Sequence, residues 1–121
     1  MSKTAQTREI VDAYSSAWMG GDIETARVFL ADDLRFRGSI DQFDRADDLM
    51  APLGQLAGML SDTKVLERFY HEDRAALLYD CITATPAGTI RTAEFFKLTD
   101  GKISEIRLVF DATVLRQMMQ Q

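Results

Sequence analysis

Apolar positions recur at helical spacing from about Thr7 to Met19, where Ile10, Val11, Tyr14, Ala17 and Trp18 return turn after turn. That spacing predicts a first helix. Gly20-Gly21 predicts its end, since glycine accepts the left-handed cap that other residues resist. Asp22 stands where a side-chain oxygen caps a second, short helix carrying Ala26, Phe29 and Leu30, with Thr25 three positions on. Asp32-Asp33 reads as the break after it, and Leu34–Gly38 alternates apolar residues with arginine as an edge strand does. A third helix is predicted from near Arg45, with Leu49, Met50, Leu53, Leu56, Met59 and Leu60 as its apolar positions. Pro52 falls inside that pattern and predicts a restart or a kink.

From Asp62 onward the period changes to two. Thr63–His71, Ala75–Thr85, Thr89–Thr99 and Lys102–Ala112 read as four strands, joined by the turn-rich segments HEDR, TPAG and TDGK. A last helical turn is predicted over Val114–Met119. Helices grouped apart from a meander predict an α+β domain, with helices packed on one face of a strongly curved antiparallel sheet. The whole chain, 1–121, forms one such domain, and a bent sheet closed by helices makes a cone with an apolar interior.

Alternation assigns the inner face. Ile90, Thr92, Glu94, Phe96 and Leu98 share one side of their strand, opposite Arg91, Ala93, Phe95 and Lys97. Ile106, Leu108 and Phe110 likewise oppose Glu105, Arg107, Val109 and Asp111. Glu94 is therefore the one charged side chain in an apolar inward row. A carboxyl placed there must be hydrogen-bonded, paired or protonated, and desolvation raises its pKa. It serves either as a functional acid, as a structural glutamate tied to a neighbouring hydroxyl or arginine, or as one reaching out at the sheet's edge. Tyr14 and Trp18, at i and i+4, share a face that suits core packing; the Tyr14 phenol still needs a partner, and Glu94 is the candidate.

Composition narrows the classes. The net charge of −5 and pI near 4.8 argue against a nucleic-acid footprint, which needs clustered Lys and Arg. The single cysteine, Cys81, excludes an intramolecular disulfide, fits a reducing compartment and reads as a small buried hydrophobe. MSKTAQTREI has no apolar leader core, and no run approaches the ~20 apolar residues of a membrane span, so a cytoplasmic location is expected. His71, beside Glu72-Asp73, is expected as a solvated hairpin residue; without a second His or Cys partner no metal site is expected. No phosphate-loop, dinucleotide, nucleophile-elbow or zincin motif occurs, so no cofactor is expected.

The segments AYSSAWMGGDIETARVFLADDLRF and TAEFFKLTDGKISEIRLVFDATVL resemble the nuclear transport factor 2-like superfamily. Within it they are most similar to SnoaL-like domains, the group that holds polyketide cyclases, ketosteroid isomerases and limonene-epoxide hydrolases. The resemblance spans roughly residues 8 to 116. It implies the cone fold and reaction without metal or cofactor. Carried over by position, the isomerase tyrosine falls on Tyr14 and its protonated acid on Glu94, together an oxyanion hole. Its general base falls on Gly38, which cannot take a proton. The epoxide hydrolases' late-strand aspartate falls on Leu108 and their arginine near Thr92, so neither residue of that mechanism is present. The polyketide cyclases' pocket acid falls on Glu94, with Asp111 a weaker candidate that could equally cap the final turn.

The resemblance thus implies a small hydrophobic ligand, with Glu94, Tyr14 and Asp111 as candidate catalytic groups. The expected lining is Trp18, Phe36, Met50, Leu53, Phe96, Leu108 and Phe110. Proton transfer on a carbonyl compound, binding without turnover, and an interaction role stand side by side. Phe95, expected on the outer face with Arg91, Lys97, Arg107 and Val109, predicts a homodimer through that face.

Overall fold

A computed structural model describes residues 2–113, 116 and 117. Helix α1 spans Lys3–Met19, beginning earlier than the apolar pattern because Ser2 caps it: the Ala5 N–H donates to Ser2 Oγ at 3.1 Å. It ends at Gly20, and Gly21 takes φ +85°, the left-handed geometry expected of that pair. Asp22 then accepts from the Thr25 N–H at 3.1 Å and opens α2, Ile23–Val28.

Strand β1 spans Leu30–Arg37, so the predicted break at Asp32-Asp33 lies inside a strand. The pairing register shifts between Leu30 and Arg35, which places the two aspartates in an irregular stretch where their polarity meets solvent. Nor is β1 an edge. The two-residue β2, Gln42–Phe43, lies outside it, and the six-stranded sheet runs β2-β1-β6-β5-β4-β3. Helix α3, Ala46–Met59, is one continuous helix containing Pro52 rather than two pieces.

The meander follows as predicted: β3 Leu60–Tyr70, β4 Arg74–Thr83, β5 Thr89–Thr99 and β6 Lys102–Phe110, each antiparallel to the next. One expectation is corrected here, because β1 runs parallel to β6, pairing Phe36 with Ile106, and the sheet is mixed rather than wholly antiparallel. Further register shifts at Leu60/Asp62, Val65/Glu67 and Lys97/Leu98 are bulges of the kind that bend strands and curve a sheet. The predicted turn over Val114–Met119 falls for the most part outside the described residues.

Helices α1 and α3 pack on the concave face, α1 against β3, β4 and β6, and α3 against β1 and β2. The buried positions of α1, namely Thr7, Val11, Tyr14, Ser15 and Trp18, repeat at three- and four-residue steps and form one stripe facing the sheet.

Candidate functional site

A cavity of about 460 Å³ lies between the concave sheet and the helices. Helix α3 gives it Leu49, Pro52, Leu53, Leu56 and Met59, a stripe that follows the helical repeat. Met50, expected in the lining, lies about a third of a turn off that stripe and packs half-buried against the core instead. Tyr14 and Trp18 come from α1, Phe36 from β1, and Leu108 and Phe110 from β6. The segment 38–41 between β1 and β2 forms one lip. Phe96, also expected in the lining, stands behind the wall: it is buried and meets Tyr14 edge-on, ring centroids 6.1 Å apart.

Glu94 reaches this cavity as its alternation predicted, only 2% exposed. Its partner is not Tyr14. The Tyr79 hydroxyl donates to Glu94 Oε1 at 3.0 Å, and Tyr79 itself lines the cavity. Leu77 pairs with Glu94 across β4 and β5 and Tyr79 pairs with Thr92, so the phenol sits diagonally from the carboxyl on the same face. Burial pushes the Glu94 carboxyl up to about 7, against the Tyr79 hydrogen bond, which favours the ionised form. The same burial, with the Glu94 charge nearby, holds both the Tyr14 and Tyr79 phenols well above their ordinary value. Both rings are therefore hydrogen-bond donors throughout the physiological range.

Tyr14 is fully buried on the cavity wall. Trp18 meets Tyr79 edge-on at 6.1 Å, while its indole Nε1 is buried without a partner among the described residues. One donor, the Trp18 indole, thus stands uncommitted on a residue that lines an apolar space.

The remaining expected residues sort plainly. Asp111 is exposed and outside the lining; it accepts from the Thr113 N–H at 3.0 Å and from the Thr113 hydroxyl at 2.7 Å, the capping role foreseen for it. These bonds hold its carboxyl below the usual range. Cys81 is buried, and burial with Glu94 close by pushes its thiol up to about 11, so it stays protonated and unreactive. His71 is exposed in the β3–β4 turn. Gly38 lines the cavity, and a Cβ added there would lie 2.9 Å from Phe36 Cε1, so the strand end has room for glycine only while the Phe36 ring keeps its place.

The family model described as a SnoaL-like domain matches residues 11–106. Among solved structures, one from Kribbella flavida, described as a known function protein, is 29% identical over 93% of this chain and 92% of that one, with a TM-score of 0.85. An NTF2-like protein of unknown function from Cytophaga hutchinsonii is 20% identical over 91% and 94%, with a TM-score of 0.77. A putative ketosteroid isomerase, also from Kribbella flavida, is 17% identical over 92% and 82%, again at 0.77. No curated protein matches the chain.

Proposed function

The chain belongs to the SnoaL-like domain family of the nuclear transport factor 2-like superfamily, and on that premise we propose that its cavity binds a small hydrophobic carbonyl compound and moves a proton on it without a cofactor. The observation that carries this reading is a fully buried carboxyl, Glu94, held by Tyr79 on the wall of an apolar cavity. With a pKa near 7 it is half protonated at neutral pH, which suits exchange of protons with a bound molecule.

Tyr14, buried on the cavity wall and always protonated, is the donor assigned to a developing enolate oxygen. The indole N–H of Trp18 is unpaired among the described residues, and leaving it so costs free energy that an acceptor on a ligand would offset. The volume of about 460 Å³ falls within the ~300–1,000 Å³ usual for small-molecule sites. The similarity to a putative ketosteroid isomerase agrees with the chemistry but adds only fold-level support at 17% identity.

A second reading is binding without turnover, and Gly38 favours it, because the position where the isomerases keep their base holds no side chain. Incubation of the protein with decalone, a bicyclic ketone, in deuterium oxide separates the two. Deuterium appearing beside the carbonyl, and falling ~100-fold or more in Glu94→Gln with the fold intact, supports proton transfer. Saturable quenching of Trp18, the chain's one tryptophan, with no isotope exchange supports binding alone.

We also propose that two copies meet through the outer face of the sheet, and that the protein works in the cytoplasm, where a lone buried thiol is at home.

A further inference from the structure

Sheets packed face to face keep their strands within ~30° of one another, so a twofold axis in such a contact runs along the strands or across them. An axis along the strands lays each row of side chains on the same row of the other copy, in reversed strand order. The pairing register gives those rows on the convex face. Across β3, β4, β5 and β6 one row reads Phe69, Ala76, Phe95, Arg107, and the next reads Glu67, Leu78, Ala93, Val109. A third carries Lys64, Asp80 and Arg91 on β3, β4 and β5.

Reversed about a line between β4 and β5, these rows complement themselves. Phe95 comes over the partner's Ala76, where a hollow of about 300 Å³ opens with Phe69 and Phe95 among its walls. Leu78 meets the partner's Ala93, again large against small. Asp80, which accepts from Arg91 of its own chain at 2.9 and 3.0 Å, comes to face the partner's Arg91 as well. The exposed ring of Phe69 comes under the partner's Arg107, a cation on an aromatic face. The one cost in these rows' neighbour is Arg74 against the partner's Lys97, at the turn end of the strands where water screens charge.

The other axes fit less well. Moved to lie between β5 and β6, the axis carries Phe69 off the meander to the partner's two-residue β2 and takes Leu78 away from the partner's Ala93. Turned across the strands, it sets Phe69 on the partner's Glu67 and Lys97 on the partner's Arg91.

We propose that a second copy of this chain seats with β4 of each protomer on β5 of its partner, Phe95 of each filling the hollow over the partner's Ala76. The inference rests on the pairing through the outer face proposed above, and adds which strands and side chains meet.

Sedimentation equilibrium of wild type, Ala76→Phe, Phe95→Ala and the double variant tests this, with circular dichroism reading each fold. Ala76→Phe sets ring on ring and is expected to weaken the dimer ~100-fold or more; Phe95→Ala empties the hollow and is expected to weaken it ~10-fold or more. The double variant moves the ring from β5 to β4 and is expected to return to within about tenfold of wild type. Native mass spectrometry of the two single variants mixed is expected to show heterodimers in excess of either homodimer, because one chain then supplies both rings and the other both alanines. A wild-type dimer whose double variant and mixture recover nothing overturns the register and leaves the pairing of copies standing. A wild type that stays monomeric overturns both and leaves the face to a different partner. If Ala76→Phe does not fold, the surface pair decides. Phe69 and Arg107 stand on strands separated by two others, so they couple only between copies. Phe69→Ala and Arg107→Ala are each expected to weaken the dimer ~3-fold, and together by less than the product of the two. Losses that multiply overturn the register.

Discussion

At Glu94 the fold holds a carboxyl that is costly to ionise and places one phenol against it. The carboxyl's pKa rises from 4.5 to about 7 on folding, so the native state holds the proton more tightly than the unfolded chain does. The stability tied to that proton is complete below about pH 4.5 and is lost as pH rises through about 7. At ~1.4 kcal/mol per unit, the loss is about 3 kcal/mol by pH 8.5. Glu94→Gln, which carries no charge, is expected to unfold in urea with a midpoint nearly level between pH 5 and 8.5, whereas the wild-type midpoint falls. Equal slopes in the two proteins would contradict the assignment. Tyr79→Phe removes the hydrogen bond that favours the carboxylate, so the Glu94 midpoint is expected to move above its wild-type position in a carbon-13 titration. Glu94 was legible in the sequence because β5 alternates cleanly. Tyr79 was not, because Ala75, Ala76, Leu77, Leu78 and Tyr79 are apolar on both faces of β4 and give no period-two signal. Only the register across the TPAG turn sets that phenol beside the acid.

Among the elements, those specified by neighbours in sequence could be read, and those specified by distant ones could not. Glycines end α1, Asp22 caps α2, and tight turns join β3 to β6, so their order followed from local chemistry. The parallel β1–β6 contact joins Phe36 to Ile106 across almost the whole meander, and no local pattern announces it. Its absence from the sequence reading is why β1 was expected at an edge. The lip at 38–41 is a product of that contact, since Ser39 can reach Leu108 and Phe110 only once β6 lies beside β1. Ser39→Ala is expected to cost about 1 kcal/mol and to speed hydrogen exchange at the Phe110 amide. An unchanged Phe110 rate would show that the lip is held by other means. Gly38→Ala is expected to destabilise by ~1–3 kcal/mol through the Phe36 ring, and less in a Phe36→Leu background; equal costs in both backgrounds would remove the steric explanation.

For the whole molecule, the two faces of the sheet carry different tasks. The concave face makes the core and the cavity, while the convex face leaves Phe69 61%, Phe95 47% and Val109 57% exposed. Phe69, Ala76, Phe95 and Arg107 follow one another across β3 to β6 in register, so large apolar side chains flank a small one on a row that also carries charge. Asp80 pairs with Arg91 and Glu105 with Arg107 along this face, so it offers both signs to the isologous contact proposed above even though the chain is acidic as a whole. Sedimentation is expected to show a wild-type dimer and a Phe95→Asp monomer that still quenches with decalone; a monomeric wild type would end the proposal. The central claim, a protonatable carboxyl facing a ligand inside the cone, has a direct test. Carbon-13 titration of the Glu94 carboxyl, with and without decalone, should give a midpoint near 7 in the free protein and a higher one when the ketone is bound. A midpoint near 4.5 that decalone does not move would contradict it.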